Sequence, residues 1–161
     1  MIHPDFLKPL AETLILEKIS LCLGESCTGG MISATLTSIP GISAIYEGGI
    51  VSYSNKVKHK LLGVSQKTLK NQGAVSEATA RAMLKGLKRI FKTRAGISVT
   101  GIAGPGGGSP QKPVGTVFIG CFLDKREIVQ HHAFSGLSRL EFQEKVSANA
   151  LLLLWEMISH K

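Results

Sequence analysis

The chain has 161 residues, 43% of them hydrophobic and 19% charged, with a formal net charge of +8. That is one domain's worth of sequence, able to bury roughly 70% of the surface its unfolded chain exposes, and too apolar to stay disordered. Three cysteines (Cys22, Cys27, Cys121) without a C-x-x-C spacing argue against a zinc site or a disulfide framework.

The first five residues lack the basic and apolar regions of a secretory leader. The longest apolar run, Ala150 to Trp155, is far shorter than a membrane span. The expectation is a soluble cytoplasmic protein with a single domain over 1–161.

Phe6, Leu7, Leu10, Leu14 and Ile15 recur at helical spacing, with Asp5 as the expected N-cap. Ser20 to Leu23 is short and apolar and predicts a buried strand ending at Gly24. Glu25-Ser26-Cys27 is then a turn, and Thr28-Gly29-Gly30 opens a helix to about Ser38, stopped by Pro40-Gly41. A second strand is expected over Gly48 to Tyr53. Short helices follow over Asn55–Leu62 and Ser65–Asn71.

Ser76-Glu77 begins an amphipathic helix with Ala80, Met83, Leu84, Leu87 and Ile90 inward. Ala95 to Thr100 predicts a third strand, running into a glycine-rich loop from Gly101 to Gly108. Val114–Leu123 and Arg126–Phe134 predict a hairpin around Asp124-Lys125. A last helix over Ser138–Ile158 places Val146, Ala150, Leu153, Leu154 and Met157 inward. Short strands among helices, closed by a hairpin, predict an α/β fold: a three-layer α/β/α sandwich with a mixed sheet. Ligands of such sheets bind where strand ends meet helix starts.

Two familiar patterns are absent. No Gly-Lys-Ser/Thr triplet exists for a phosphate-binding loop, and the Gly104-x-Gly106 spacing meets Ser109 where a dinucleotide fingerprint needs glycine. His59, His131 and His132 do not sit where a catalytic base is expected.

Ser26, at a strand-to-helix turn, is a candidate nucleophile beside free helix-start amides, or alternatively it or Thr28 is a helix cap. Cys27 is the rival nucleophile, or a small buried side chain. Tyr53 offers a phenol and Asn55 a cap or an amide contact. Lys58 could aim its amine back over the strand ends as the base of a Ser–Lys pair, or sit in solvent like Lys56 and Lys60. Thr100, Gly101 and Gly104 begin a loop whose glycines let a ligand approach the backbone, with residues 109–113 as a mobile lip.

Between Lys56 and Arg94 lie eight Lys and three Arg against one acid, Glu77. This stretch is a polyanion surface, a pocket for one phosphate, or a pair of solvated helix faces. The lack of interleaved aromatics favours the last.

Several segments together resemble the CinA C-terminal domain family, which includes nicotinamide-nucleotide amidases (NMN deamidases). They are Glu25-Ser26-Cys27-Thr28-Gly29-Gly30, Tyr53-Ser54-Asn55-x-x-Lys58, Leu62-Gly63-Val64 and Gly73-Ala74-Val75-Ser76. Thr100 to Pro105, Gly107-Gly108 and Lys112 to Val117 complete the set. They stand in family order and spacing over about residues 5–158.

The resemblance implies metal- and cofactor-free deamidation of nicotinamide mononucleotide to nicotinate mononucleotide and ammonia. It makes Ser26 the nucleophile, with Lys58 and Tyr53 assisting proton transfer. Substrate contacts are then expected from Cys27, Thr28, Gly29, Gly30, Asn55, Thr100, Gly101, Gly104 and Arg139, with amides of the Cys27–Gly30 turn holding the oxyanion. It implies a homodimer or higher homo-oligomer, with neither nucleic acid nor membrane as partner. The extra N-terminal domain of many relatives, and its pyrophosphatase activity, are not expected in this length.

The chain departs from its relatives in two places. Gly106 stands where relatives often carry Asp. One residue is inserted before Arg139, and Gln143 stands where a second basic residue is usual. The alternative is an inactive module that holds a nucleotide or nucleic acid on its basic surface.

Overall fold

A computed structural model describes residues 4–160. Residues 1–3, part of the five-residue start read above, and residue 161 lie outside them. The elements in chain order are α1 (Pro4–Leu16), β1 (Leu21–Glu25), α2 (Met31–Thr37), a 3₁₀ turn (Ile42–Ala44), β2 (Tyr46–Val51), α3 (Asn55–Leu62), α4 (Gln66–Asn71), α5 (Glu77–Phe91), β3 (Ala95–Gly101), β4 (Thr116–Leu123), β5 (Arg126–Ala133) and α6 (Arg139–Ser159).

The strands form one five-stranded sheet in the order β2-β1-β3-β4-β5. β1 is parallel to both β2 and β3, while β3–β4 and β4–β5 are antiparallel. One apolar layer packs α1, α2 and α6 on the sheet through Leu14, Leu36, Phe142 and Leu154, against Leu23, Val99 and Ile119. The opposite layer packs α3, α4 and α5 through Leu62, Leu69, Met83, Leu84 and Leu87, against Cys22 and Phe122. The fold is the expected three-layer α/β sandwich with a mixed sheet.

Serine sets the start of four helices. Ser54, Ser65, Ser76 and Ser138 each accept a hydrogen bond from the backbone N–H three residues on. At α6, Glu141 returns the bond to the Ser138 amide and completes a capping box.

Four local expectations need correction. Asp5 lies inside the first turn of α1 rather than capping it. α2 starts at Met31, because Gly30 sits at φ 103° in the left-handed region, which glycine adopts without strain. β2 runs from Tyr46 to Val51 because Leu21 pairs with Tyr46 and Glu25 with Val51, so Tyr53 falls beyond the strand. Ile90 is exposed on the outer side of α5.

The chain leaves β1 toward β2 on one side of the sheet, then crosses back to β3 on β1's other side. The helices of these two crossovers lie on opposite faces. The loop after β1 leads toward β2 and the loop after β3 toward β4, so the two diverge, and the gap between them is the ligand crevice of this type of sheet.

Candidate active site

Three neighbouring parallel strands end side by side, with Glu25 in register with Val51 and Val99. Ser26 leaves the middle strand, its amide held by the Val99 carbonyl. Ser52 leaves the flanking strand, its amide held by the Glu25 carbonyl at 2.7 Å. The glycine-rich loop leaves β3 on the other side. A cavity of about 290 Å³ opens between them, lined by Ser26, Cys27, Tyr53, Arg139 and the loop residues 101–104, 106 and 107.

Lys58 and Leu62 are four residues apart on the inner face of α3, and both are buried. The Lys58 amine donates to Ser26 Oγ at 2.8 Å and to the Ser52 carbonyl at 2.8 Å. Only 2% of Lys58 is exposed. Burial pushes the ammonium below its ordinary pKa, since desolvation disfavours the charged form. A solvated Lys58 is thereby ruled out, while Lys56 and Lys60 do stand in solvent.

Neither Ser26 nor Thr28 caps α2. The cap is Glu25, a carboxylate only 1% exposed at the last position of β1. One oxygen accepts from Thr28 Oγ1 (2.6 Å) and from the amides of Gly30 and Ile32 (3.1 Å each). The other accepts from the Ser33 amide (2.8 Å) and hydroxyl (2.7 Å). Tyr46 extends the network by donating to Ser33 Oγ.

This narrows the expected oxyanion site. The Gly30 amide belongs to Glu25, and the Gly29 amide to the Ser26 carbonyl. Within the turn, the Cys27 and Thr28 amides are taken neither by Glu25 nor by the Ser26 carbonyl, and the Cys27 amide bears on its own thiol. Sequence reasoning passed over Glu25, although an acid just before a helix start, followed by Thr28, Gly30 and Ser33, is the pattern an N-terminal anion requires.

Cys27 lines the cavity, yet burial raises its thiol to a pKa of about 12. Its side chain is buried, as the milder reading had it. Tyr53 is exposed and accepts a hydrogen bond from Arg139 through its hydroxyl. Its phenol lines the cavity, and the Lys58 amine bonds Ser26 and Ser52 rather than Tyr53.

Arg139 also donates to the Gly104 carbonyl at 2.7 Å, fixing the left-handed turn before Pro105. The insertion before it has not removed it from the site. Gln143, one turn along α6, donates to the Cys27 carbonyl at 2.9 Å. In place of a second cation the chain has an amide that braces the Ser26 turn.

Gly101 and Gly104 line the cavity, but Thr100 is buried and donates to the Ala74 carbonyl. Asn55 is exposed at the start of α3, where Ser54 is the cap. Gly29 and Gly30 shape the turn and do not line the cavity. The lip over 109–113 is tied down, its Lys112 amine donating to the Gln72 carbonyl at 2.6 Å.

His59 bonds the Val64 carbonyl, His131 stacks on Phe118, and His132 meets Gln130 and Phe134. None of the three lines the cavity. No cluster of three His, Cys, Asp or Glu among the described residues could hold a metal ion. No described helix is long and apolar enough to cross a membrane.

The basic stretch is partly neutralised in the fold. Arg81 and Lys88 both pair with Glu127, Arg81 also with Glu77, and Arg94 with Asp124.

The profile of the CinA C-terminal domain family matches residues 5–158. A CinA-like protein of Leptospira borgpetersenii is 43% identical over 155 residues, covering 96% of this chain and 37% of its own length. One from Syntrophobacter fumaroxidans is 44% identical over 139 residues, covering 86% of this chain and 32% of its own length. The chain thus spans about a third of these curated relatives. Among solved structures, the competence damage-inducible protein A of Klebsiella pneumoniae superposes with a TM-score of 0.92 at 31% identity, over 97% of this chain and 96% of that one. A competence/damage inducible protein of Agrobacterium tumefaciens gives a TM-score of 0.84 at 37% identity, over 93% and 94%.

Proposed function

The chain belongs to the CinA C-terminal domain family, and we propose that it is an amidohydrolase that converts nicotinamide mononucleotide to nicotinate mononucleotide and ammonia. One observation carries the reading: a buried lysine with a lowered pKa, 2.8 Å from a serine at the mouth of a cavity. A carboxamide is a poor electrophile, so its hydrolysis needs an activated nucleophile and a stabilised oxyanion.

The proposed steps use these side chains in turn. Once neutral, Lys58 keeps an N–H on the Ser52 carbonyl and can turn its lone pair to the Ser26 hydroxyl across the same 2.8 Å separation. It accepts the Ser26 proton as Oγ bonds to the carboxamide carbon. The oxyanion takes hydrogen bonds from the Cys27 and Thr28 amides. Lys58 then passes its proton to the departing ammonia, leaving an ester on Ser26. Water, deprotonated by Lys58, opens the ester and returns Ser26 and the free acid.

Arg139 and the glycine-rich loop would receive the nucleotide, with the guanidinium matched to the phosphate. The paired state of Arg81, Lys88 and Arg94 weighs against the alternative of an inactive polyanion-binding module.

The test is the release of ammonia and nicotinate mononucleotide by purified protein. Turnover should fall by roughly 10³-fold or more in Ser26→Ala. Equal turnover in wild type and Ser26→Ala would refute the reading.

A further inference from the structure

Glu25 is a buried acid that touches neither the cavity nor Lys58, yet it immediately precedes the nucleophile. A carboxylate without solvent is costly unless its lone pairs are satisfied. Here five donors satisfy it, drawn from Thr28, Gly30, Ile32 and Ser33. Those donors include amides that a helix start would otherwise offer to an anionic ligand. The protein's own carboxylate fills that place, so α2 is closed to the substrate.

The consequence falls on the turn between. With Glu25 fixed in β1 and its carboxylate fixed to Thr28, Gly30 and Ser33, the segment 26–29 is a short loop pinned at both ends. Gln143 holds the Cys27 carbonyl from the far side. A peptide whose carbonyl is anchored there also has its plane fixed, and the Thr28 N–H belongs to that same peptide. The Thr28 N–H is thereby set in direction, the Gly29 amide holds the Ser26 carbonyl of the peptide that carries the Cys27 N–H, and neither N–H is drawn into the Glu25 network.

We propose that Glu25 is a positioning residue that builds the oxyanion site: by consuming the α2 amides it holds the Cys27 and Thr28 N–H groups toward the cavity beside Ser26. This rests on the proposed amidase reading of Ser26 and adds to it the origin of the oxyanion donors. Glu25→Gln is the direct test, because it keeps the shape but turns an NH₂ toward N–H donors. Ser33→Ala is the milder companion, since Ser33 does not line the cavity and supplies one hydroxyl donor of the five.

Turnover is measured against substrate concentration and pH on protein shown to be folded by its melting transition. In Glu25→Gln kcat should fall about 10²-fold, the loss typical of a displaced oxyanion donor, with KM and the pH midpoint of the rate unchanged. In Ser33→Ala kcat should fall several-fold with the same signature. A purely structural role would lower the melting temperature of both variants while leaving the kcat of folded protein at the wild-type value, and that result overturns the proposal. A displaced pH midpoint with a full plateau rate would place Glu25 in the electrostatics of Lys58 and overturn it equally.

Should Glu25→Gln fail to fold, Ser33→Ala decides alone. Should wild type release no ammonia, the amidase reading is what fails. The positioning claim is then read from the rate at which Ser26 is acylated by p-nitrophenyl acetate, which must drop in Ser33→Ala for the claim to stand.

Discussion

Lys58 is where chemistry and folding pull against each other. A lysine on the inner face of α3 loses hydration and gains only two neutral partners, Ser26 and the Ser52 carbonyl. In the proposed mechanism, the cost of that burial is what suits its amine to act as a base. Because only the neutral amine can take the Ser26 proton, kcat/KM should rise with pH through the lowered Lys58 pKa. It should level off before the roughly 10.4 of a free lysine is reached. Lys58→Arg keeps the charge but not the ability to lose a proton. Turnover should fall roughly 10²-fold or more and the rising limb should vanish. Lys56→Arg and Lys60→Arg, both in solvent, should retain near-normal rates. A Lys58→Arg variant, folded and nearly as fast as wild type, would exclude Lys58 as the base.

At the scale of elements, α3 must be held close for Lys58 to reach Ser26, and α5 does the holding. Gly86 lets the two helices meet: a Cβ there would stand 2.1 Å from the Leu62 carbonyl oxygen at the end of α3. That neighbour is backbone and cannot swing away. Gly86→Ala should therefore destabilise by about 1–3 kcal/mol despite the better helix propensity of alanine. It should also slow turnover by moving α3, which chemical denaturation and a rate measurement together would reveal. Unchanged stability would mean that the contact is not tight in solution.

The elements also mark what was readable beforehand. Serines at helix starts, Pro40-Gly41 and the Asp124-Lys125 turn are local signals, and they placed helices and hairpin within a few residues. Ser26 and Lys58 were readable as a pair through their motifs. The burial of Lys58 was not, because periodicity put it among exposed lysines and only the α3–α5 contact turns it inward. Glu25 was missed for a related reason. An acid just before a helix start hints at an N-terminal anion, but its partners lie across a turn whose path depends on two left-handed glycines, and that path is what folds the carboxylate back on α2.

For the whole molecule, the sheet order and the charge distribution bear on what the protein can hold. β1 sits between β2 and β3, so one turn can meet a base from one side and a glycine-rich wall from the other. That arrangement makes a small cavity rather than an extended groove. The excess of positive charge would suit a polyanion only if it were free and arrayed along one face. Instead Arg81, Lys88 and Arg94 are committed to Glu77, Glu127 and Asp124, and Lys58 is inside. A protein that makes six or more phosphate contacts loses about 10³-fold or more in affinity between ~50 and ~200 mM salt. Here binding to duplex or single-stranded DNA should be weak at low salt, with a log–log slope against salt of less than about 2. Titration of labelled DNA at several salt concentrations measures that slope. A steep slope with tight low-salt binding would show that the remaining lysines act together as a nucleic-acid surface, and the small-molecule reading would then have to share the protein with a second partner.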